Sequence, residues 1–332
     1  MSFKRLFKSV AKRAFQVGVS EASTHLPLSK LYTASGEVAA FHVRALERVK
    51  TLADAEFSIF SQWGEDGIIE WLLHHNGAMP EIFVEFGVES YRESNTRFLM
   101  VHRNWRGLIL DGSPANIAVV SDDAVSWRHD LTSKTAFVTT ENIDALIRDA
   151  GFNGEIGVLS VDIDGNDYWV WDAIGCINPH FVIAEYNAVF GDVQPLTVPY
   201  DPAFMRTTAH HSNLYYGASI AAMCALAERK GYTLLGTNRA GVNAFFVRND
   251  RLAVFQDRVA DRRPRPSRFR ESRDRDGAKS LVRGKDRAGI IADCPVVNIA
   301  DGRTAPLREF GELYSARWLA MLDGHVGGEL QE

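Results

Sequence analysis

The feature that most constrains this chain is a series of short apolar segments that alternate with helical patterns. Apolar runs of strand length, separated by amphipathic stretches, are typical of parallel strands joined by crossover helices. The last two segments are too close in sequence for a crossover, so they are expected to pair antiparallel. The predicted strands span 82–86, 107–111, 125–129, 156–163, 181–186, 232–235 and 244–247. We therefore predict an α/β fold with a seven-stranded, mostly parallel sheet, a C-terminal antiparallel hairpin and helices on both faces.

Charge is distributed unevenly and suggests four regions. Residues 1–50 hold nine Lys or Arg against three Glu, and residues 251–290 hold thirteen Lys or Arg against six acids, although the net charge is −5. Few apolar residues occur between 258 and 287, so that stretch cannot bury a core of its own. The predicted regions are a basic N-terminal helical extension at 1–50, a Rossmann-like domain at 51–250, a basic flexible arm at 251–290 and a C-terminal helical extension at 291–332, including a last helix at 307–322.

The first fifteen residues place basic side chains between apolar ones at near-helical spacing. Such a helix binds an anionic membrane surface, or it docks on its own domain or a partner subunit, and both alternatives stay open. The three cysteines are far apart and form no C-x-x-C pair, which favours the reducing cytoplasm. We expect a cytoplasmic protein, and under the membrane alternative residues 1–15 are its peripheral contact with the inner face of the membrane. A homo-oligomer is compatible with the sequence, and the net negative charge disfavours nucleic acid as a partner.

Four of the predicted strands end in a carboxylate. Ligands of open α/β sheets bind outside the carboxyl ends of the strands, at the point where strand order reverses. The sequence contains neither a P-loop nor a G-x-G-x-x-G turn, and the first turn has one glycine followed closely by an acid. A diphosphate therefore fits poorly, whereas S-adenosylmethionine, with its sulfonium and ammonium groups, fits well. The strand-end acids are Glu85, Asp111, Asp162 and Glu185.

Four motifs occur in order along the chain: SQ-x-GED at 61–66, FVEFG at 83–87, LDGS at 110–113 and LSVDIDG at 159–165. Over about residues 58–250 the sequence resembles class I S-adenosylmethionine-dependent methyltransferases of the FkbM-like kind. The first loop, at 89–96, is more polar and less glycine-rich than is usual in that family. The resemblance implies methyl transfer to oxygen, often on a sugar or a polyketide.

The predicted cofactor residues surround the first two strand ends. Asp111 either accepts hydrogen bonds from the ribose hydroxyls or caps the next helix. Asp130, after the third predicted strand, either contacts the adenine amino group or is a surface acid in a turn. The full predicted set is Gln62, Glu85, Gly87, Glu89, Asn95, Thr96, Asp111, Gly112, Ser113 and Asp130.

Residues at the ends of the fourth and fifth predicted strands, and in the loop after the fifth, are expected to bind the acceptor and to take up its proton. Asp162, His210 and Glu185 are the predicted catalytic residues, with His210 either a general base or an exposed loop histidine. Asp162 and Asp164 share a face if the fourth strand continues that far, and with Glu185 they form a candidate all-oxygen Mg²⁺ site. The alternative is that Asp164 and Asp167 cap the following helix.

Together these features predict an S-adenosylmethionine-dependent O-methyltransferase that acts on a small-molecule or glycan acceptor, such as a sugar or glycan precursor. Mg²⁺ is a candidate second cofactor. A nicotinamide-dependent sugar-modifying enzyme is one alternative, which the missing glycine fingerprint disfavours. The other is a non-catalytic Rossmann-like scaffold of a glycan-assembly complex, recruited by the N-terminal helix.

Overall fold

The computed structural model describes residues 28–268 and 271–323. The basic helix and the membrane contact predicted for residues 1–15 lie outside these residues. Within the described ranges, no helix combines the length and the apolarity that crossing a bilayer requires.

A seven-stranded sheet forms the centre of the molecule, and it confirms the predicted fold class. Its strand order is β3-β2-β1-β4-β5-β8-β7, and β8 alone in this sheet runs antiparallel to its neighbours. A second, three-stranded antiparallel sheet has the order β10-β9-β6. The strands are β1 (Ile82–Phe86), β2 (Arg106–Asp111), β3 (Leu131–Thr135), β4 (Gly154–Val161), β5 (Ile177–Glu185), β6 (Leu196–Thr197), β7 (Tyr232–Thr237), β8 (Asn243–Arg248), β9 (Pro295–Asn298) and β10 (Thr304–Pro306).

Helices cover both faces of the large sheet. Side chains that alternate along one strand, such as Phe83 and Val84, enter two different buried apolar clusters, as a sheet covered on both sides requires. The helices are α1 (Leu28–Arg44), α2 (Glu65–Asn76), α3 (Arg97–Arg103), α4 (Pro114–Asp122), α5 (Val125–Arg128), α6 (Ile143–Asp149), α7 (Asp167–Ala173), α8 (Arg206–Ala209), α9 (Ile220–Lys230), α10 (Leu252–Phe255), α11 (Asp286–Ile290) and α12 (Ala316–Leu322), with 3-10 turns at Leu52–Ala55, Ala188–Phe190, Asn249–Arg251 and Leu307–Phe310.

Two predicted elements are wrong. The third strand is not at 125–129, where helix α5 lies, but at Leu131–Thr135. As an edge strand, β3 is only partly buried, so it lacks the apolar run that marks the central strands. The single helix predicted at 307–322 is a 3-10 turn followed by α12, because Gly311 adopts φ +70° and Ser315 caps a new helix through the Trp318 N–H.

The segment predicted to be a flexible arm, residues 251–290, has the short helices α10 and α11 near its two ends, is otherwise irregular, and contacts the domain along its described part. Ser272 and Arg287 are buried. The backbone N–H of Arg268 donates to the Ala240 carbonyl at 2.8 Å, and that of Arg273 donates to the Ser212 carbonyl at 3.1 Å. Flexibility of this arm and the four region boundaries stay predictions.

The central strands β1 and β4 meet closely at the end of β1. Gly87 has φ +72°, and a Cβ built there would lie 1.6 Å from the carbonyl oxygen of Asp162. Its N–H also donates to the Leu110 carbonyl at 3.0 Å, which joins the end of β2 to the same point. Any side chain at this position therefore separates the strand ends on which the candidate site is built.

We expect Gly87→Ala to lower the free energy of unfolding by more than about 3 kcal/mol, because both the left-handed backbone and a backbone clash oppose it. Gly231→Ala is the matched control: Gly231 has φ +84° with nothing within 4 Å of its Cβ position. It is expected to lose only about 1 kcal/mol from the backbone conformation. Denaturant unfolding measures both variants, and equal losses would contradict the close approach at Gly87.

Candidate functional site

A crevice opens at the carboxyl ends of β1, β2, β4 and β5, with a cavity volume of about 440 Å³. This is the size range of small-molecule sites, and the crevice lies beside the gap between β1 and β4 where strand order reverses. Most of the predicted site residues line it. They are Gln62, Glu85, Gly87, Glu89, Asn95, Asp111, Gly112, Asp162, Asp164 and Glu185.

Glu85, at the end of β1, holds the polar loop that follows. Its Oε1 accepts from the Asn95 N–H at 2.9 Å, and its Oε2 accepts from the N–H and the hydroxyl of Thr96. Burial raises the pKa of Glu85, and these donors oppose the rise by stabilising the carboxylate. Thr96 is fully buried and is not among the lining residues, so it supports the site through Glu85.

Asp111, at the end of β2, holds the start of the next helix, and its predicted contact with the ribose stays a prediction. Its Oδ1 accepts from the Ser113 N–H at 2.8 Å and from Asn116 Nδ2 at 3.0 Å, which organises the start of α4. Its Oδ2 accepts from the Glu89 N–H at 2.8 Å and has no other hydrogen bond among the described residues. A carboxylate oxygen has two lone pairs, so Oδ2 keeps one acceptor position toward the crevice. Ser113 caps α4 and does not line the crevice.

The adenine contact predicted for Asp130 is wrong. Asp130 precedes β3 instead of following it, so it lies at the amino-terminal end of the parallel strands, whereas the crevice is at their carboxyl ends. Its side chain is 70% exposed and pairs with Arg106 at 3.6 Å. The residues after β3 reach the crevice instead, and among them Phe137 leaves 48% of its surface exposed beside Gly112.

Three carboxylates converge on the other side of the crevice. Asp162, Asp164 and Glu185 each offer an oxygen within 4.8 Å of the others. Strand alternation is not the reason, because β4 ends at Val161 and Asp164 reaches the cluster through a left-handed turn with φ +57°. That turn is held by buried Asp167, whose carboxylate accepts the N–H groups of residues 163 and 165, so Asp167 is structural.

Arg206, at the start of α8, is the cation of this cluster, and sequence reasoning missed it. Its Nη1 lies 2.5 Å from Asp164 Oδ1, and its Nε donates to the Asn213 carbonyl at 2.9 Å. Its guanidinium stacks over the ring of Tyr216, 3.9 Å from the centroid. Arg206 lies in a stretch without regular pattern, far from the strand ends, so no sequence signal identifies it.

Burial shifts the protonation of the cluster. The pKa of Glu185 is raised well above its ordinary value, first by burial and then by the neighbouring charge of Asp162. The pKa of Asp162 is raised for the same reasons, with Asp164 as the nearby charge, and Arg206 opposes both shifts. Glu185 Oε2 is buried and has no hydrogen-bond partner among the described residues. The pair therefore retains protons at pH values where exposed carboxylates are ionised.

His210 is not brought into the crevice. Its Nδ1 lies 2.8 Å from the Ser212 hydroxyl and accepts the Ser212 N–H at 3.3 Å, and its ring contacts His211. It does not belong to the residues that line the cavity. Of the three predicted catalytic residues, Asp162 and Glu185 line the crevice and His210 does not.

The SQ-x-GED motif supplies support for the crevice wall. Asp66 Oδ2 accepts three consecutive backbone N–H groups, those of residues 59, 60 and 61. Buried Glu65 accepts the side-chain amides of Asn238 at 2.7 Å and Asn243 at 2.9 Å. The motif thus ties helix α2 to the β7–β8 hairpin, and the sequence showed the motif but not these partners.

Among solved structures, several methyltransferases are similar in structure to part of this chain. No family model and no curated protein matches it. A solved O-methyltransferase family protein from Burkholderia thailandensis is 11% identical with TM-score 0.33, over 56% of this chain and 59% of its own. An S-adenosylmethionine-dependent methyltransferase from Clostridium acetobutylicum is 7% identical with TM-score 0.35, over 55% of this chain and 90% of its own. The CurJ carbon methyltransferase is 10% identical with TM-score 0.36, over 67% and 70%. At these TM-scores the likeness identifies neither cofactor nor substrate.

The carboxylate pair predicts a pH-dependent stability. Because the folded pKa of Glu185 exceeds its unfolded value of about 4.3, the folded state binds more protons, and stability falls as pH rises from about 4 through the raised pKa. Glu185→Gln is expected to match wild type at pH 4 and to be more stable by about 1 kcal/mol or more at pH 8.

Denaturant unfolding from pH 4 to pH 8 measures this difference, with exposed Glu312→Gln as the control that follows wild type throughout. Parallel profiles for wild type and Glu185→Gln would show that Glu185 is ordinarily ionised.

Proposed function

We propose that this chain is an S-adenosylmethionine-dependent methyltransferase that methylates a hydroxyl of a sugar or glycan precursor, and that it is FkbM-like. The observation that carries the proposal is the pairing of two half-sites in one crevice. One is the Asp111 carboxylate, which keeps an acceptor position, and the other is the pair of half-buried Asp162 and buried Glu185, whose pKa values are raised. To a ligand, the crevice presents carboxylates and backbone groups, and among its lining residues there is no glycine-rich loop of the kind that binds a phosphate.

The first half-site suits the nucleoside part of the cofactor. Asp111 would accept from a ribose hydroxyl, while Phe137 presents an exposed aromatic face for a base. The acids Glu85 and Glu89 favour positive charge nearby, which matches a sulfonium and an ammonium group. A nicotinamide dinucleotide would bring a diphosphate into the same acidic turn, which disfavours the oxidoreductase alternative.

The second half-site suits the acceptor. Bound S-adenosylmethionine supplies an electrophilic methyl group, so the protein has to align the acceptor hydroxyl and remove its proton. Asp162 and Glu185 have raised pKa values, so the ionised form of either is a stronger base than an exposed carboxylate. Arg206 is fixed by Tyr216, Asp164 and the Asn213 carbonyl, and it balances part of the negative charge that proton removal leaves.

Mg²⁺ is a second candidate for the same carboxylates. Asp162, Asp164 and Glu185 form an all-oxygen donor set of the kind that Mg²⁺ prefers, and Glu185 Oε2 is buried without a partner among the described residues. A bound ion would hold the acceptor oxygen and lower the pKa of its hydroxyl. Arg206 competes with such an ion because it already occupies Asp164.

The cofactor proposal predicts a specific loss of binding. Asp111→Asn is expected to weaken S-adenosylmethionine binding by about tenfold to a hundredfold, because a charge-assisted hydrogen bond to the ribose is lost. Ser113→Ala is the control, since it removes the hydroxyl that caps α4 through the Asn116 N–H, at a cost of about 1 kcal/mol in stability, and leaves the backbone N–H that donates to Asp111 in place. Titration calorimetry measures both variants. No binding by wild type at millimolar cofactor, or equal binding by Asp111→Asn, would contradict the proposal.

The metal proposal predicts thermal stabilisation. Mg²⁺ at about ten times its dissociation constant is expected to raise the melting temperature by about 2–4 °C, and Asp164→Asn is expected to abolish the rise. Asp276→Asn, at an exposed acid elsewhere, is the control that keeps it. A rise of equal size in both variants would assign the effect to nonspecific ion binding.

A further inference from the structure

A second cavity adjoins the crevice and differs from it in charge. It has a volume of about 800 Å³ and shares Gln62, Trp63 and Glu271 with the crevice as lining residues. We refer to it as the basic groove, defined by Phe57, Trp63, Arg239, Arg268, Lys279 and Leu281. The shared residues make the two cavities neighbouring compartments of one larger site.

Two of the cations in the basic groove have no ion-pair partner within residues 28–268 and 271–323. Arg239 pairs with Glu56 at 3.5 Å, and Glu271 pairs with Arg273 at 3.3 Å. Arg268 and Lys279 are exposed, and neither side chain has an ion pair or hydrogen bond among the described residues. The backbone of Arg268 is nonetheless fixed by its N–H, which donates to the Ala240 carbonyl at 2.8 Å. The groove therefore presents an excess of positive charge.

The groove also has apolar walls. The Phe57 ring packs edge-on against Phe98, with centroids 5.4 Å apart, which holds one wall in place. Leu281, with 49% of its surface exposed, and half-buried Trp63 line the same cavity. Aromatic faces are electron-rich, so they contact the C–H face of a sugar ring favourably.

The crevice itself repels anions. Nine acidic residues line it, against Arg206 as the one cation among its lining residues. An acceptor that carries both hydroxyls and an anionic group can therefore bind favourably in one orientation, with the hydroxyls toward the carboxylates and the anion toward the groove.

We propose that the basic groove binds the phosphate of a phosphorylated sugar acceptor and directs a hydroxyl of that sugar toward Asp162 and Glu185. The proposal rests on the proposed function, because it takes the carboxylate pair as the place where the hydroxyl reacts. Arg268 and Lys279 are the phosphate ligands, and Phe57 and Trp63 contact the ring. The substrate class is thereby narrowed from hydroxylated acceptors in general to sugar phosphates.

Titration calorimetry with glucose 1-phosphate, inorganic phosphate and glucose tests this inference on the full chain. We expect glucose 1-phosphate to bind more tightly than either fragment, and to bind less tightly as salt rises. Arg268→Ala/Lys279→Ala is expected to weaken its binding by about tenfold or more. Arg283→Ala/Lys285→Ala removes the same charge from exposed positions outside the groove and is expected to bind like wild type.

Equal binding of glucose 1-phosphate by the two double variants would overturn the inference. So would binding of glucose as tight as that of its phosphate. Inorganic phosphate that binds as tightly as the sugar phosphate would overturn the part played by the aromatic wall. A parallel titration with S-adenosylmethionine separates the two proposals. Cofactor binding without sugar-phosphate binding would contradict only the phosphate-binding role of the basic groove. Sugar-phosphate binding without cofactor binding would contradict the proposed methyltransferase function.

Discussion

The contact on which the site depends is the close approach of β1 to the chain that leaves β4. Gly87 lies against the Asp162 carbonyl with no room for a side chain, and its N–H also holds the end of β2. This contact fixes the distance between the half of the crevice built by Asp111 and the half built by Asp162 and Glu185. Two groups of side chains that are separated by some fifty residues or more of chain therefore face a single ligand-sized space.

That arrangement brings carboxylates into poorly solvated positions: Glu85 and Glu185 are buried, and Asp162 is half-buried. Burial raises the pKa of Glu85, Asp162 and Glu185, but their environments differ. Glu85 is compensated by the N–H groups of a loop, whereas Glu185 keeps an oxygen without a partner among the described residues. The compensated acid organises the loop, whereas the pair with fewer partners has the environment that the proposed proton transfer or cation binding would need.

Sequence reasoning succeeded where strands are central and failed at the sheet edge. The apolar runs of β1, β2, β4 and β5 are unmistakable because both of their faces are buried, and the acids at their ends were located with them. The edge strand β3 carries no such run, so it was predicted six residues too early, at 125 instead of 131. Because of that error, Asp130 was predicted to lie at the carboxyl ends of the strands, although it lies at the amino ends, and Phe137 was not predicted to belong to the site.

What the sequence by itself determined is the positions of the central strands along the chain and the acids at their ends, because burial on two faces is a local property of the pattern. Only the tertiary structure decided which polar groups line the crevice. Arg206 lies in it although its stretch of sequence has no regular pattern, and Asp164 reaches it through a left-handed turn. His210 instead bonds to Ser212 outside it. The physical reason is that hydrogen bonds and ion pairs join groups far apart in the chain, and no periodicity records such partners.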